Sequence, residues 1–422
     1  MKKQKIAVIG TGSSAEQYLS TVDVSCDFTF FNSSGQGEFR GQSVQALSSL
    51  RYDAFDSIVI AVYDYGELLP LINGVENANL YWFDAKKSEL KNLTDPFFDN
   101  PEACLDNRSV LTVIYDMRVA PPTFDFLVFL VKCRLVANER KLARLKVIIA
   151  PGDNNGFRAN IDFFSVSEMN FRVTHLLLPL VKLVDPTADL HLVGNRAEAR
   201  KLFQSAEFCY PENHNFVNPV AKHHYFELFR FMDADIEHRI VEPSEICRRQ
   251  LIEWLSMHDV VRDKLVTITL RESDAHTGRN SQVEIWREVA SRLVNSGYDV
   301  VVVRDTAKAL IPLDWDGVVE CPLAAVDVEM RAALYDLSWL NLAISSGPLA
   351  LCLLMKHCRY ILFGMYNASC TSNTYEHLER IGFAKDCDQI KGGGDGQFIC
   401  WNDVTAENVL SEITQKFGVT IQ

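Results

Sequence analysis

Short apolar runs recur along the chain, bounded by glycine, asparagine and serine and followed by stretches with apolar residues every three or four positions. "KIAVIG", "DFTFFN", "SIVIAVY" and "NLYWFD" carry the first set, with helical periodicity in "AEQYLSTV" and "YGELLPLING". "SVLTVIY", "LKVIIAPGD" and "DLHLVG" carry the second, with "FDFLVFLVKCRLVANERKL", "FRVTHLLLPLVKLV" and "NRAEARKLFQ" as helices. "KLVTITL", "YDVVVV", "LNLAIS" and "RYILFG" carry the third. Its helices are "SQVEIWREVASRLVNSG", "DVEMRAALYDLSW", "GPLALCLLMKH" and "TAENVLSEITQKFG". Uninterrupted apolar strands alternating with amphipathic helices predict parallel sheets with crossover helices. The expected architecture is α/β, with three Rossmann-like parallel-sheet domains over residues 1–100, 108–255 and 256–422. The aperiodic "NLTDPFFDNPEACLDN" reads as a linker between the first two. The stretch "CYPENHNFVNPVAKHHYFELFRF" fits no period.

The start of the helix after "TITL" is marked. Ser281 and Glu284 have the spacing of a capping box. Trp286, Val289 and Leu293 share a face, and Gly297 suits the left-handed residue that ends a helix. The loop "RESDAHTGRN" therefore joins the C-terminal end of a strand to the start of a helix, the edge of an open α/β sheet where ligands bind.

Composition narrows the function classes. Among 422 residues, 48% are hydrophobic and 23% charged, as in soluble globular proteins, and the length implies more than one domain. A net charge of −13 argues against broad nucleic-acid or anionic-membrane binding. No apolar run has the length of a transmembrane segment, and "MKKQKIAVIG" is too short in its apolar part for a signal peptide. Eleven scattered cysteines without a CxxC predict buried free thiols in a reducing cytoplasm rather than a zinc site or disulfide framework.

Several strand ends carry chemistry. "GTGSSA" places Gly10, Gly12 and Ser13 between a strand and a helix, the pattern that cradles a dinucleotide pyrophosphate. The second strand ends in Asn32 rather than the acidic residue that would hold a ribose, which leaves a nucleotide-binding-like fold without a dinucleotide as the alternative. Asp116 and Arg118 end "VIYDMR"; Asp116 suits a general base or a turn residue, and Asp125 a carboxylate at a helix N-terminus. Arg158 follows the Gly/Asn loop "PGDNNGF", either cleft lining or connection.

Arg271, Arg279 and Asn280 frame a loop whose planar guanidinium forks suit phosphate oxygens. Glu272 and Asp274 offer these arginines partners instead, and His276 suits a solvent-facing position. Asp305 and Thr306, after "VVVVR", suit either a ribose contact or a helix cap. Ser345, Ser346 and Gly347, ahead of Pro348, form a tight strand-to-helix turn able to hold a diphosphate.

Three α/β units with "TITLRE…RNS" and "SSGP" on neighbouring loops of the last resemble a GT-B glycosyltransferase, over residues 108–422. "YDMRVAPPTFDF" and "VVVVRDT" look like a bacterial group of such proteins. Residues 1–100 resemble the small nucleotide-binding domain preceding bacterial sugar-modifying enzymes. The resemblance implies two domains facing across a cleft, the C-terminal one holding a nucleoside-diphosphate sugar through Arg271, Arg279 and the Ser345–Pro348 turn. It implies an acceptor domain that in inverting members also presents the base, which maps to Asp116; Arg118 and Arg158 are the candidate substrate contacts beside it. The partners implied are the nucleotide sugar as donor substrate and a glycan or other hydroxyl acceptor, with bacterial surface-glycan or glycoconjugate synthesis as the setting. No metal or other cofactor is required in this scheme, no DxD sits at a strand end, and no nucleic acid is implied. The glutamate-rich motif of many retaining members is absent, so the stereochemistry stays open, as does assembly into a homo-oligomer. Two rivals remain: an NAD(P)-dependent sugar-nucleotide oxidoreductase or epimerase using Gly10, Gly12 and Ser13, and a non-catalytic nucleotide-binding scaffold.

Overall fold

A computed structural model describes residues 3–22, 25–63, 68, 79–93, 109–159, 164–274, 276–368, 370, 373–385 and 387–421. The helix expected in "YGELLPLING" and the linker expected beyond residue 93 lie outside them. The chain forms two compact units, Met1–Asp106 and Asn107–Gln422.

In the first unit, β1 (Lys5–Ile9), β2 (Asp27–Asn32), β5 (Gln45–Ala46), β6 (Ser57–Ile60), β7 (Leu80–Asp84) and β8 (Glu89–Asn92) form one sheet. Its order is β5-β2-β1-β6-β7-β8. All pairs are parallel except β7–β8, an antiparallel edge hairpin that the periodicity did not mark. A small ribbon, β3 (Glu38–Phe39) with β4 (Gln42–Ser43), stands apart.

The second unit holds two parallel sheets. One comprises β9 (Val110–Asp116), β10 (Arg144–Ala150), β11 (Asp189–Leu192) and β12 (Cys209–Tyr210), in the order β11-β10-β9-β12. The other comprises β13 (Leu265–Thr269), β14 (Asp299–Val303), β15 (Val318–Glu320), β16 (Leu340–Ile344), β17 (Tyr360–Phe363) and β18 (Gln397–Ile399). Its order is β15-β14-β13-β16-β17-β18. That is the doubly wound order, in which the winding reverses between β13 and β16. Every residue of β13 and β16 is buried, which explains why they read as unbroken apolar runs rather than alternating ones.

The two sheets share a core. Leu111 and Phe126 from one side and Tyr335, Leu354 and Tyr360 from the other belong to one apolar cluster. The helix Glu245–Met257 buries Leu251 and Leu255 against Leu265, Val301 and Val303. By packing, it belongs with the third sheet, although residue 256 was the expected boundary. "FRVTHLLLPLVKLV" is helical as expected, with a π turn at Val173–Leu177 linking the helices Val166–Arg172 and Leu178–Val184.

Candidate functional site

The reversal between β13 and β16 brings two loops together. After β13, the backbone N–H of Arg271 donates to Ser281 Oγ (2.9 Å) and the Ser281 N–H donates to the Arg271 carbonyl (2.8 Å). This clasp closes the loop on itself. Ser281 is therefore not a helix cap: the helix Val283–Asn295 begins after Gln282, which makes no side-chain capping bond. The capping box expected with Glu284 is absent because the hydroxyl holds the loop instead. Trp286, Val289 and Leu293 are fully buried, as their spacing implied.

Inside the loop, Asn280 accepts from the Arg271 guanidinium and the Ser273 N–H (3.2 Å) and donates to the Ser273 carbonyl (2.9 Å). Asn280 is a brace for Arg271. Arg279 extends across the reversal and donates through Nη2 to the carbonyl (3.2 Å) and hydroxyl (3.3 Å) of Ser345. Asn373, almost wholly buried, donates to the same hydroxyl (3.0 Å) and to the Met365 carbonyl (2.7 Å). Asn367 donates to the Gly278 carbonyl (2.9 Å), tying the β17 loop to the β13 loop.

Electrostatics favour an anion here. Burial, and then the neighbouring Arg279 charge, push the Arg271 guanidinium below its ordinary pKa, and the Asp305 carboxylate offsets only part of this. Glu272 does not neutralise the pair. It accepts from Arg304 Nε (2.8 Å) and Nη2 (2.5 Å), while Arg304 also donates to the Ile311 carbonyl. Asp274 is exposed. Arg279 forms no ion pair among the described residues, and its buried Nε has no hydrogen-bond partner; the buried Ser346 hydroxyl also lacks one. Unsatisfied buried donors of this kind call for a ligand or ordered water.

Asp305 and Thr306 have local roles. Asp305 accepts from the N–H groups of Thr306 (3.0 Å) and Glu272 (3.2 Å), and the Thr306 hydroxyl donates to the Ala325 carbonyl (2.8 Å). Gly347 is needed for a contact within the protein: a Cβ there would lie 3.0 Å from Phe124 Cδ2. Pro348 precedes the short helix Leu349–Leu354, so the helix expected over "GPLALCLLMKH" is shorter than its periodicity suggested.

Phe124 belongs to the opposite sheet's lobe, which brings Asp125 toward the same place. Asp125 opens the helix Asp125–Glu139, is exposed, and accepts from the Thr123 hydroxyl (2.7 Å). It pairs with no cation among the described residues. Behind it, Tyr115 and His223 lie with ring centroids 6.3 Å apart. Burial pushes His223 down to about 4, so its ring is neutral at pH 7, and its Nδ1 has no partner. Arg158 acts electrostatically on both Tyr115 and His223, and its buried Nε is also unpartnered. Arg172 rests its guanidinium 3.9 Å from the Phe164 ring centroid and feels the Asp305 charge across the lobes.

Asp116, the expected base, lies among cations. It is buried and takes two bonds from Arg196, at 2.6 Å and 2.7 Å. His214 Nε2 lies 3.2 Å away and the Arg118 N–H donates at 3.0 Å. Burial pushes its carboxyl up, but the Arg196 hydrogen bonds and charge, with the nearby His214 ring and the Arg118 N–H, outweigh this and hold it at about 2. A carboxylate so acidic and so fully bonded is a poor proton acceptor. Arg118 is likewise engaged, with Asp153 (2.6 Å) and the carbonyls of Phe216 (3.1 Å) and Val217 (2.8 Å).

In the first unit, a Cβ on Gly10 would fall 2.5 Å from the Ala61 carbonyl oxygen, so the neighbouring strand end accounts for that glycine. Gly12 precedes the helix Ser13–Thr21 with open space around it. Asn32 turns its side chain onto its own loop, accepting from the Ser34 (3.1 Å) and Gly35 (2.6 Å) N–H groups. Among the described residues, no group of three or more His, Cys, Asp or Glu side chains is placed to hold a metal, and no helix is long and apolar enough to cross a membrane. The described cysteines are free thiols, most of them buried.

Asn373, Phe124, Arg172 and His223 escaped the sequence reading because none belongs to a strand-end motif. Phe124 and Arg172 are placed by contacts across the two lobes, whereas Asn373 and His223 are placed by loops folding back within one lobe. No family model and no curated protein matches the chain. Among solved structures, a glycosyl transferase family 9 protein from Veillonella parvula is similar at 12% identity, covering 74% of this chain and 90% of that one, with a TM-score of 0.36. An E. coli heptosyltransferase bound to ADP-2-deoxy-2-fluoro heptose covers 72% and 99% at 11% identity and a TM-score of 0.36. E. coli ADP-heptose LPS heptosyltransferase II covers 97% and 98% at 12% identity and a TM-score of 0.30.

Proposed function

We propose that this chain is a glycosyltransferase that moves a sugar from a nucleoside-diphosphate sugar to an acceptor hydroxyl. One observation carries the reading. At the reversal of a doubly wound sheet, Arg279 bridges two strand-end loops with no acidic partner among the described residues, while Glu272, beside Arg271 in sequence, is engaged by Arg304. Such a crevice binds nucleotides, and paired guanidiniums suit a diphosphate.

In this reading, the acceptor oxygen bonds to the anomeric carbon as the bond from that carbon to the diphosphate oxygen breaks. Arg271, Arg279 and the Ser346 hydroxyl stabilise the charge that develops on the leaving diphosphate. The acceptor proton passes to Asp125, which replaces Asp116 as the assigned base because it is exposed and not held by a cation. Arg158 positions the acceptor beside it.

Calorimetric titration of UDP, ADP and GDP into the wild type and Arg279→Ala tests the donor site. Binding of at least one nucleotide, weakened about tenfold or more in the variant, is expected from the loss of a charge-assisted hydrogen-bonding group. Equal affinity in both proteins would overturn the assignment.

A further inference from the structure

The lobe that carries β9–β12 holds a second cationic site. A cleft of about 560 Å³ opens beside the helix Arg196–Gln204, lined by Arg118, Arg196, Arg200, Lys201, Phe216 and Val217 among others. The charges divide into two layers. Arg196 directs both terminal nitrogens to Asp116 and to the Pro151 and Phe216 carbonyls. Arg118 is held by Asp153 and the Phe216 and Val217 carbonyls. These two arginines are therefore paired with carboxylates and anchored to backbone carbonyls, and form the floor of the cleft. Arg200 and Lys201 lie above it, exposed. Neither forms an ion pair among the described residues, and the Arg200 guanidinium lies 5.5 Å from the Phe216 ring centroid.

Two open cations remain beside an apolar wall of Phe216 and Val217, on a chain whose net charge is −13. A solvated charged helix face needs no such cavity or floor. A site that takes an anion bonded to a less polar body needs both, because fixed walls orient the body while mobile cations close on the charge.

We infer that this cleft binds the anionic group, phosphate or carboxylate, of the sugar acceptor. Arg200 and Lys201 supply the donors, and Phe216 and Val217 contact the carbon skeleton. The acceptor role rests on the proposed function, whereas anion binding stands on the cleft alone.

The test uses the full chain in an Arg279→Ala background, so that anions at the diphosphate loops do not contribute. Inorganic phosphate and acetate are each titrated calorimetrically at low ionic strength, with and without the added pair Arg200→Gln and Lys201→Gln. Saturable binding of either anion, weakened at least tenfold by the pair, is expected; which anion binds assigns a phosphorylated or a carboxylated acceptor. The control pair Arg262→Gln and Lys264→Gln, which removes equal charge elsewhere, is expected to leave binding unchanged. Absence of binding by both anions, or equal weakening by the control pair, would overturn the site. Nucleotide titration of the wild type reports separately on the proposed function. Its failure would remove the acceptor role and leave the anion result standing.

Discussion

Arg279 Nη2 donates to both the carbonyl and the hydroxyl of Ser345, 66 residues away in sequence and on the far side of the winding reversal. The bond holds the β13 and β16 loops in register and keeps a charged fork in the crevice between them. Shortening this side chain should weaken nucleoside-diphosphate binding about tenfold or more. Since the residue lies in a loop outside the apolar cores, the melting temperature should change little. Calorimetry and thermal melts on Arg279→Ala check both.

Asp125 and Asp116 should separate cleanly by substitution. Asp125→Asn is expected to lower kcat by about a hundredfold or more, the usual scale of a lost general base, while nucleotide affinity stays as in the wild type. Asp116→Asn is expected to act on folding, since breaking a buried ion pair costs about 3–5 kcal/mol. Transfer assays and urea melts on the two variants read these effects. A folded, stable Asp116→Asn protein without activity would restore Asp116 as the base.

Acid should destabilise the protein in two stages. His223 and His238 are held at about 4, below their ordinary 6.5, by burial. The unfolded chain takes up these protons first, so their share of stability is complete above pH 6.5 and is lost between 6.5 and 4. Asp116 is held at about 2 rather than 3.8. Its share is complete above about pH 4 and falls away toward pH 2. Urea midpoints measured from pH 8 to pH 3 should show the upper stage, and His223→Gln should flatten part of it.

Gly347 should not tolerate a methyl group. Alanine there presses on the Phe124 ring at 3.0 Å. A loss of about 1–3 kcal/mol is expected, as for overpacked sites. Phe124→Leu in the same chain should recover part of it. Thermal melts of the single and double variants test the pairing.

Much of the architecture was legible because buried parallel strands leave an unambiguous apolar signature. The strands in "KLVTITL", "YDVVVV", "LNLAIS" and "RYILFG" all form, and all lie in one sheet. "NLYWFD" marked β7, but its antiparallel partner β8 and the two-residue strand β12 were not legible, since such short, polar or two-residue segments carry little periodicity of their own. The helix Glu245–Met257 illustrates a different limit: its apolar face is plain in the sequence, but nothing local says which sheet it covers.

The candidate site divides in the same way. Arg271, Arg279 and the Ser345–Gly347 turn were found because strand ends and helix starts have local chemical markers. The partners of Glu272, Asp116 and Gly347 were not, because each lies on another loop or another lobe, brought close only by packing.

By itself, the sequence determined which segments form strands and helices and which carry charge to a sheet edge, because backbone propensity and burial act over a few residues. Tertiary structure decided which charges cancel. It joined Glu272 to Arg304, locked Asp116 under Arg196, left Asp125 open, and set Phe124 in the space that Gly347 leaves. The reason is range: a guanidinium finds its carboxylate through space, at distances unrelated to separation along the chain.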